Sequence, residues 1–124
     1  MYNNNALIKS FLATAATAQH TIVKFGANDD TIANSTAATD ALLGVINEIG
    51  ATADDVANGA TVDIILCGIA EIKLGGTVAR GGKITSGAAG VGVAGVAGNQ
   101  GIGKAMRSGV AGDIIPVLLN QSTI

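Results

Sequence analysis

The residues able to do chemistry in this chain are few, and they stand apart. His20 is the sole histidine and Cys67 the sole cysteine. A catalytic imidazole needs a nucleophile or carboxylate partner, and a zinc site needs three or four ligands. One of each is too little material, so the expectation is a strand-edge His20, a buried and inert Cys67, and neither metal nor cofactor. A single thiol also excludes an internal disulfide. The acidic residues Asp29, Asp30, Asp40, Asp54, Asp55, Asp63 and Asp113 match no calcium-loop spacing. Asp29-Asp30 and Asp54-Asp55 flank turns, where aspartate hydrogen-bonds its own backbone.

Gly90-Val91-Gly92-Val93-Ala94-Gly95 spells G-x-G-x-x-G. A dinucleotide site needs a strand before that motif and a helix after it. Here Val96-Ala97-Gly98-Asn99-Gln100-Gly101 follows, which cannot start a stable helix, so the match reads as chance among 18 glycines. Lys104-Ala105-Met106-Arg107 is a distant echo of the biotinylation hairpin, but arginine follows the methionine and cannot be acylated.

Composition points the same way. Charged residues are 13% of the 124 against roughly 25% in an average soluble domain, and hydrophobic residues are 48%. So neutral a surface associates readily, which favours life in an assembly. A net charge of −2, scattered lysines and arginines, and only Tyr2, Phe11 and Phe25 as aromatics leave no basic, base-stacking platform for nucleic acid. Residues 84–103 carry no charge over a membrane-span length, but seven are glycine, so no membrane helix is expected. Lys9 ahead of Phe11-Leu12-Ala13 imitates a signal peptide; the apolar run is short and broken by Thr14, and none is expected.

The elements that must hold these residues read as strands. The organising stretch is Gly59–Gly76. It is apolar through Val62, Ile64, Ile65, Leu66 and Cys67, pauses at Gly68, then alternates, with Ile69, Glu71 and Lys73 on one face and Ala70, Ile72 and Leu74 on the other. Period two marks a half-buried strand, and the run before Gly68 is either covered on both faces or bulged there. Residues 6–18 lean to extended, 21–25 and 31–33 are strands, and 28–30 is a turn. Asp40 is placed to cap a short helix over 41–43, and 44–49 is strand. One helical turn is expected at 53–57. Thirteen of the 38 residues from 75 to 112 are glycine, which points to short strands and tight turns at 83–85, 91–97 and 102–107. Asp113–Leu119 echoes Asp63–Leu66, so the two should share the core. Pro116 lacks an N–H and places its strand at an edge or bulge. Eight to ten strands joined by glycine turns predict an all-β fold, a small antiparallel barrel or sandwich with at most one or two helical turns.

In that order of elements the chain resembles the capsid cement, or head decoration, proteins of tailed bacteriophages. The resemblance runs over roughly residues 39–120. It is carried by Asp40 to Gly50, Gly59-Ala60-Thr61-Val62-Asp63-Ile64-Ile65-Leu66 with Gly68-Ile69-Ala70-Glu71, and Gly75-Gly76-Thr77-Val78-Ala79-Arg80-Gly81-Gly82 with Thr85. Gly90, Ile102-Gly103-Lys104-Ala105, and Gly112-Asp113-Ile114-Ile115 with Val117-Leu118-Leu119 complete it. It implies a non-enzymatic homotrimer on the outer surface of the capsid, made in the host cytoplasm, with the major capsid protein as partner. The alternative is a β-barrel module binding a small molecule or glycan, although pockets for these usually recruit aromatics. A β-fold enzyme comes third, since no nucleophile, base and oxyanion donors can be assembled.

The organisation expected is an N-terminal arm and first strand over 1–18 and a single β domain over 19–124. Met1–Leu12 reads as an arm that docks on a neighbouring subunit or the capsid. Its candidate contacts are Tyr2, Asn3, Asn4, Asn5, Leu7 and Phe11. Tyr2 and Phe11 are the natural anchors, because aromatics bury much area at little entropy cost.

Overall fold

A computed structural model of the chain describes residues 7–46 and 52–124. Its strands are β1 (Leu7–Ala13), β2 (Ile22–Phe25), β3 (Thr31–Asn34), β4 (Leu42–Ile46), β5 (Thr61–Lys73), β6 (Lys83–Ser86), β7 (Gly92–Ala94), β8 (Gln100–Ala105) and β9 (Ile114–Thr123). One short helix, α1 (Ala53–Ala57), and a 3-10 turn at Ala88–Gly90 accompany them. The hydrogen-bonded order is β1-β3-β2-β4-β5-β9-β8-β6-β7. The all-β expectation is met, and the expected helical turn forms where the sequence placed it.

The first five strands close on themselves. β1 runs parallel to β3 through Leu12↔Thr31 and antiparallel to β5 from Leu7↔Cys67 to Leu12↔Thr61, so β1–β5 form a closed barrel. Val23, Ile32, Leu43, Ile46, Val62 and Ile64 fill its interior. Closure leaves no exposed edge, which is the physical advantage of a barrel over an open sheet.

One wall of the barrel is buried on both faces. Ile22, Leu42, Val45 and Ile65 point away from the barrel interior into a second core with Ile72, Ile84, Ile102, Ile115 and Val117. All five residues of β4, Leu-Leu-Gly-Val-Ile, are therefore buried, and the strand shows no alternation. Residues 47–49, also expected as strand, lie outside the described residues.

β5 serves both cores. Val62 and Ile64 face the first and Ile65 the second; beyond Gly68 the buried residues are Ala70, Ile72 and Leu74, all in the second. Gly68 has φ 104°, a left-handed conformation that costs an L side chain roughly 1–2 kcal/mol. There β5 stops pairing with β1 and starts pairing with β9, from Gly68↔Leu119 to Lys73↔Ile114. Glu71 and Lys73 are exposed, as the alternation requires. Of the two readings of this stretch, the run is covered on two faces at Ile64-Ile65, while the register slips at Leu66, between Ile8↔Ile65 and Leu7↔Cys67, and not at Gly68.

β9 is not an edge strand. It lies between β5 and β8, which corrects the placement inferred from Pro116. The Pro116 carbonyl accepts from Met106 N at 3.0 Å, one residue past the end of β8. The missing N–H therefore falls where that ladder is already ending, so an interior strand tolerates the proline. Asp40 is corrected too: it caps no helix. Its Oδ2 accepts from Thr36 N (2.8 Å) and Ala37 N (3.1 Å) and closes a turn before β4. The helix cap lies at Thr52, whose hydroxyl accepts from Asp55 N while Asp55 accepts from Thr52 N.

Three contacts lock the barrel to the second sheet. Ser35 Oγ donates to Ser86 Oγ, both fully buried. Gln100 N donates to the Ala38 carbonyl at 2.7 Å, and Gln121 Nε2 reaches the carbonyls of Leu43 and Leu66 where β9 leaves β5. Gly90 (φ 74°) presses its backbone on β2, where a Cβ would stand 2.7 Å from the Ile22 carbonyl oxygen. The leading glycine of the G-x-G-x-x-G run is thus a packing residue, and the run continues into β7, with no helix after it.

Candidate interaction surface

The residues that first suggested chemistry have structural roles. His20 is half-buried beside β5. Its carbonyl accepts from Lys73 N at 2.9 Å, and its Nδ1 stands 3.2 Å from the Glu71 carbonyl, a contact in which Nδ1 carries the proton. His20 thus bonds to β5 at Glu71 and Lys73, within the stretch that pairs with β9. Cys67 is exposed, not buried. It shares the outer barrel face with Asp63 and Ile65, and only Ile65 is covered by the second sheet. Among the described residues no three of His, Cys, Asp and Glu come together as a metal site, and no helix is long and apolar enough to cross a membrane. Every buried side-chain polar atom among them has a partner.

Of the expected arm, Tyr2, Asn3, Asn4 and Asn5 lie outside the described residues. Leu7 and Phe11 belong to β1 and so to the barrel wall. Leu7 is 56% exposed. Phe11 is half-buried against the first core, with Lys9 Nζ at 4.7 Å from its ring centroid, a cation–π distance. Residues 7–12 are hydrogen-bonded along β5, so this part of the expected docking segment is a strand of the barrel wall, and residues 1–6 lie outside the described residues.

Besides Leu7, Ile8 and Leu12 of β1 and the loop residues Val96 and Val110, exposed apolar side chains stand on the second sheet and at Phe25 of the barrel. On the second sheet, register fixes the outer face row by row. One row is Ile69, Leu118, Lys104 and Lys83; the next is Glu71 and Pro116, with Met106 bonded to Pro116; the last is Lys73 and Ile114. Ile114, Leu118 and Met106 are each more than two-fifths exposed. On the barrel, Phe25 is 58% exposed. It stands between an open hollow of about 460 Å³, shared with Phe11 and Asn28–Thr31, and a second of about 300 Å³ lined by Leu42, Leu43, Leu66 and Gln121. Sequence reasoning missed both surfaces. The β9 surface was hidden because its strand was taken for a buried partner of Asp63–Leu66.

Fold and surface together define a small all-β protein built around filled cores, with apolar faces turned outward. Comparison of the sequence with protein-family models gives no match, and comparison with curated proteins gives none either. Among solved structures, the fold is similar to that of the head fiber gp8.5 N base in bacteriophage phi29. The TM-score is 0.65 at 14% identity, with 96% of this chain and 98% of that chain covered. At that identity the likeness is one of fold.

Proposed function

We propose that this chain is a structural protein of a phage head that binds the outside of the assembled capsid as a homotrimer and bridges neighbouring copies of the major capsid protein. The observation that carries the reading is the likeness to a head-fiber base over nearly the whole of both chains. Its physical logic is mass action: a protein that binds only the assembled shell stabilises that shell against the pressure of packed DNA. Exposed apolar faces and a low surface charge suit such a role, and no catalytic step or cofactor is part of it. The alternative, a barrel holding a small molecule or glycan, has less support because side chains fill the barrel interior.

The test is sedimentation of the purified chain with capsids that lack it. Saturable co-sedimentation and raised resistance of the capsids to heat are expected. A chain that stays in the supernatant at every concentration would overturn the reading.

A further inference from the structure

Charge is divided between the two halves of the fold. Through Cys67 the chain carries seven acidic and two basic residues, a net of −5; from Gly68 on it carries two acidic and five basic, a net of +3. The dividing residue is the one at which β5 passes from the closed barrel to the second sheet. In the acidic half, Lys24 is already held by Asp40 at 3.5 Å. The two stretches of chain therefore carry opposite net charge.

Each half also leaves apolar surface uncovered inside its own ring of charge. On the basic half, Ile114, Pro116 and Leu118 form a spine on the outer face of β9. Lys73 stands opposite Ile114, and Lys104 stands opposite Leu118 with Lys83 next in the row. Glu71, opposite Pro116, is the one carboxylate in these rows. On the acidic half, the exposed Phe25 ring shares its hollow with Asp29 and Asp30, both exposed.

We propose that copies of this chain associate head to tail, the acid-edged Phe25 surface of one copy seated on the lysine-edged Ile114–Leu118 face of the next. Charge complementarity selects the occupant: two acidic halves or two basic halves repel, whereas unlike halves attract. Phe25 supplies the apolar anchor and the β9 spine its floor, while Asp29 and Asp30 reach Lys83 and Lys104. The two surfaces differ, so the contact is heterologous, closing to a ring where the rotation allows. It deepens the copy-to-copy association in the proposed role and rests on that part of it.

The experiment is sedimentation velocity of the full chain alone, without capsids. Association is expected at low salt. It should weaken as salt rises, because the screening length falls from about 30 Å at ~0.01 M to about 3 Å at ~1 M. Two reversal variants follow, one with Lys83→Glu and Lys104→Glu, the other with Asp29→Lys and Asp30→Lys. All four side chains are exposed, and circular dichroism verifies that each variant is folded. Each alone should lose affinity about tenfold or more, and an equimolar mixture should regain the pairwise contact between unlike variants, because the reversed faces complement one another. Phe25→Ser should weaken association at every salt concentration. A chain that is monomeric at low salt, or association indifferent to the reversals, or a mixture that restores nothing, would overturn the contact. The same samples on capsids separate the two ideas. A monomer that still co-sediments with capsids refutes the contact alone, and an associating chain that ignores capsids refutes the shell role alone.

Discussion

Gly44 lies in β4 where the two cores meet, and there is no room for a side chain on it. A Cβ would press into the Ile65 carbonyl oxygen and stand 2.7 Å from Ile64 Cγ2. Backbone cannot yield as a flexible side chain does, so Gly44→Ala should lower unfolding free energy by about 3 kcal/mol in urea titration. Gly59 gives the contrast. Its φ is 77° with nothing near a Cβ, so Gly59→Ala should cost only about 1 kcal/mol, from backbone strain. At Cys67 the exposed thiol changes the expectation from packing to accessibility. Cys67→Ser should shift stability by less than about 0.5 kcal/mol, and a thiol reagent should label the native protein stoichiometrically without denaturant. Protection of the thiol until denaturant is added would contradict this.

At the scale of elements, β1 is what keeps the barrel closed. Removing residues 1–13 deletes β1, opens the pairing edges of β3 and β5, and uncovers the first core. By circular dichroism the truncated chain should be unfolded or aggregated. The turn before β4 carries a pH dependence. The backbone N–H of Thr36, opposed by partial burial and helped by Ala37 N and Lys24, holds the Asp40 carboxyl below its ordinary value. A depressed folded pKa means the unfolded chain binds more protons. The contribution is therefore present above the unfolded pKa, about 3.9, and is lost as pH falls through the lower folded value. Asp40→Asn should destabilise the protein near neutrality by about 1.5 kcal/mol and flatten its loss of stability below about pH 4. Denaturant midpoints compared between neutral and acid pH measure both effects.

Over the whole molecule, the two cores are joined by β5, by the Ser35–Ser86 hydrogen bond and by the Gln121 bridge. Adjacent residues Ile64 and Ile65 feed different cores, so neither can empty without disturbing the other. The chain should therefore unfold in one transition, with far-UV circular dichroism and calorimetry giving coincident midpoints. Separate midpoints would mean that the barrel and the second sheet are independent units. The polarity of charge acts at this scale as well, since it belongs to neither strand nor turn but to the two halves that Gly68 separates.

Much of the local structure was legible in the chain. Alternation in Ile69–Leu74, the glycine-bounded strands, the Asn28–Asp30 turn and the helical turn after Thr52 all rest on contacts within a few residues. Sterics and amphipathic period act at that range, so sequence alone determined an all-β fold, its turns and most of its strands. The partners of those strands were not legible. Strands of Ala, Val, Ile and Gly are nearly interchangeable in pairing, and their order is decided by the free energy of contacts between residues far apart in sequence. Only the tertiary structure closed β1 on β5, set Pro116 inside a sheet at the end of a ladder, and left Cys67 on an uncovered face. The division of charge was present in the sequence from the first. It acquired meaning only when β5 was seen to change sheets at Gly68, because a count of charges has no physical sense until a surface separates them.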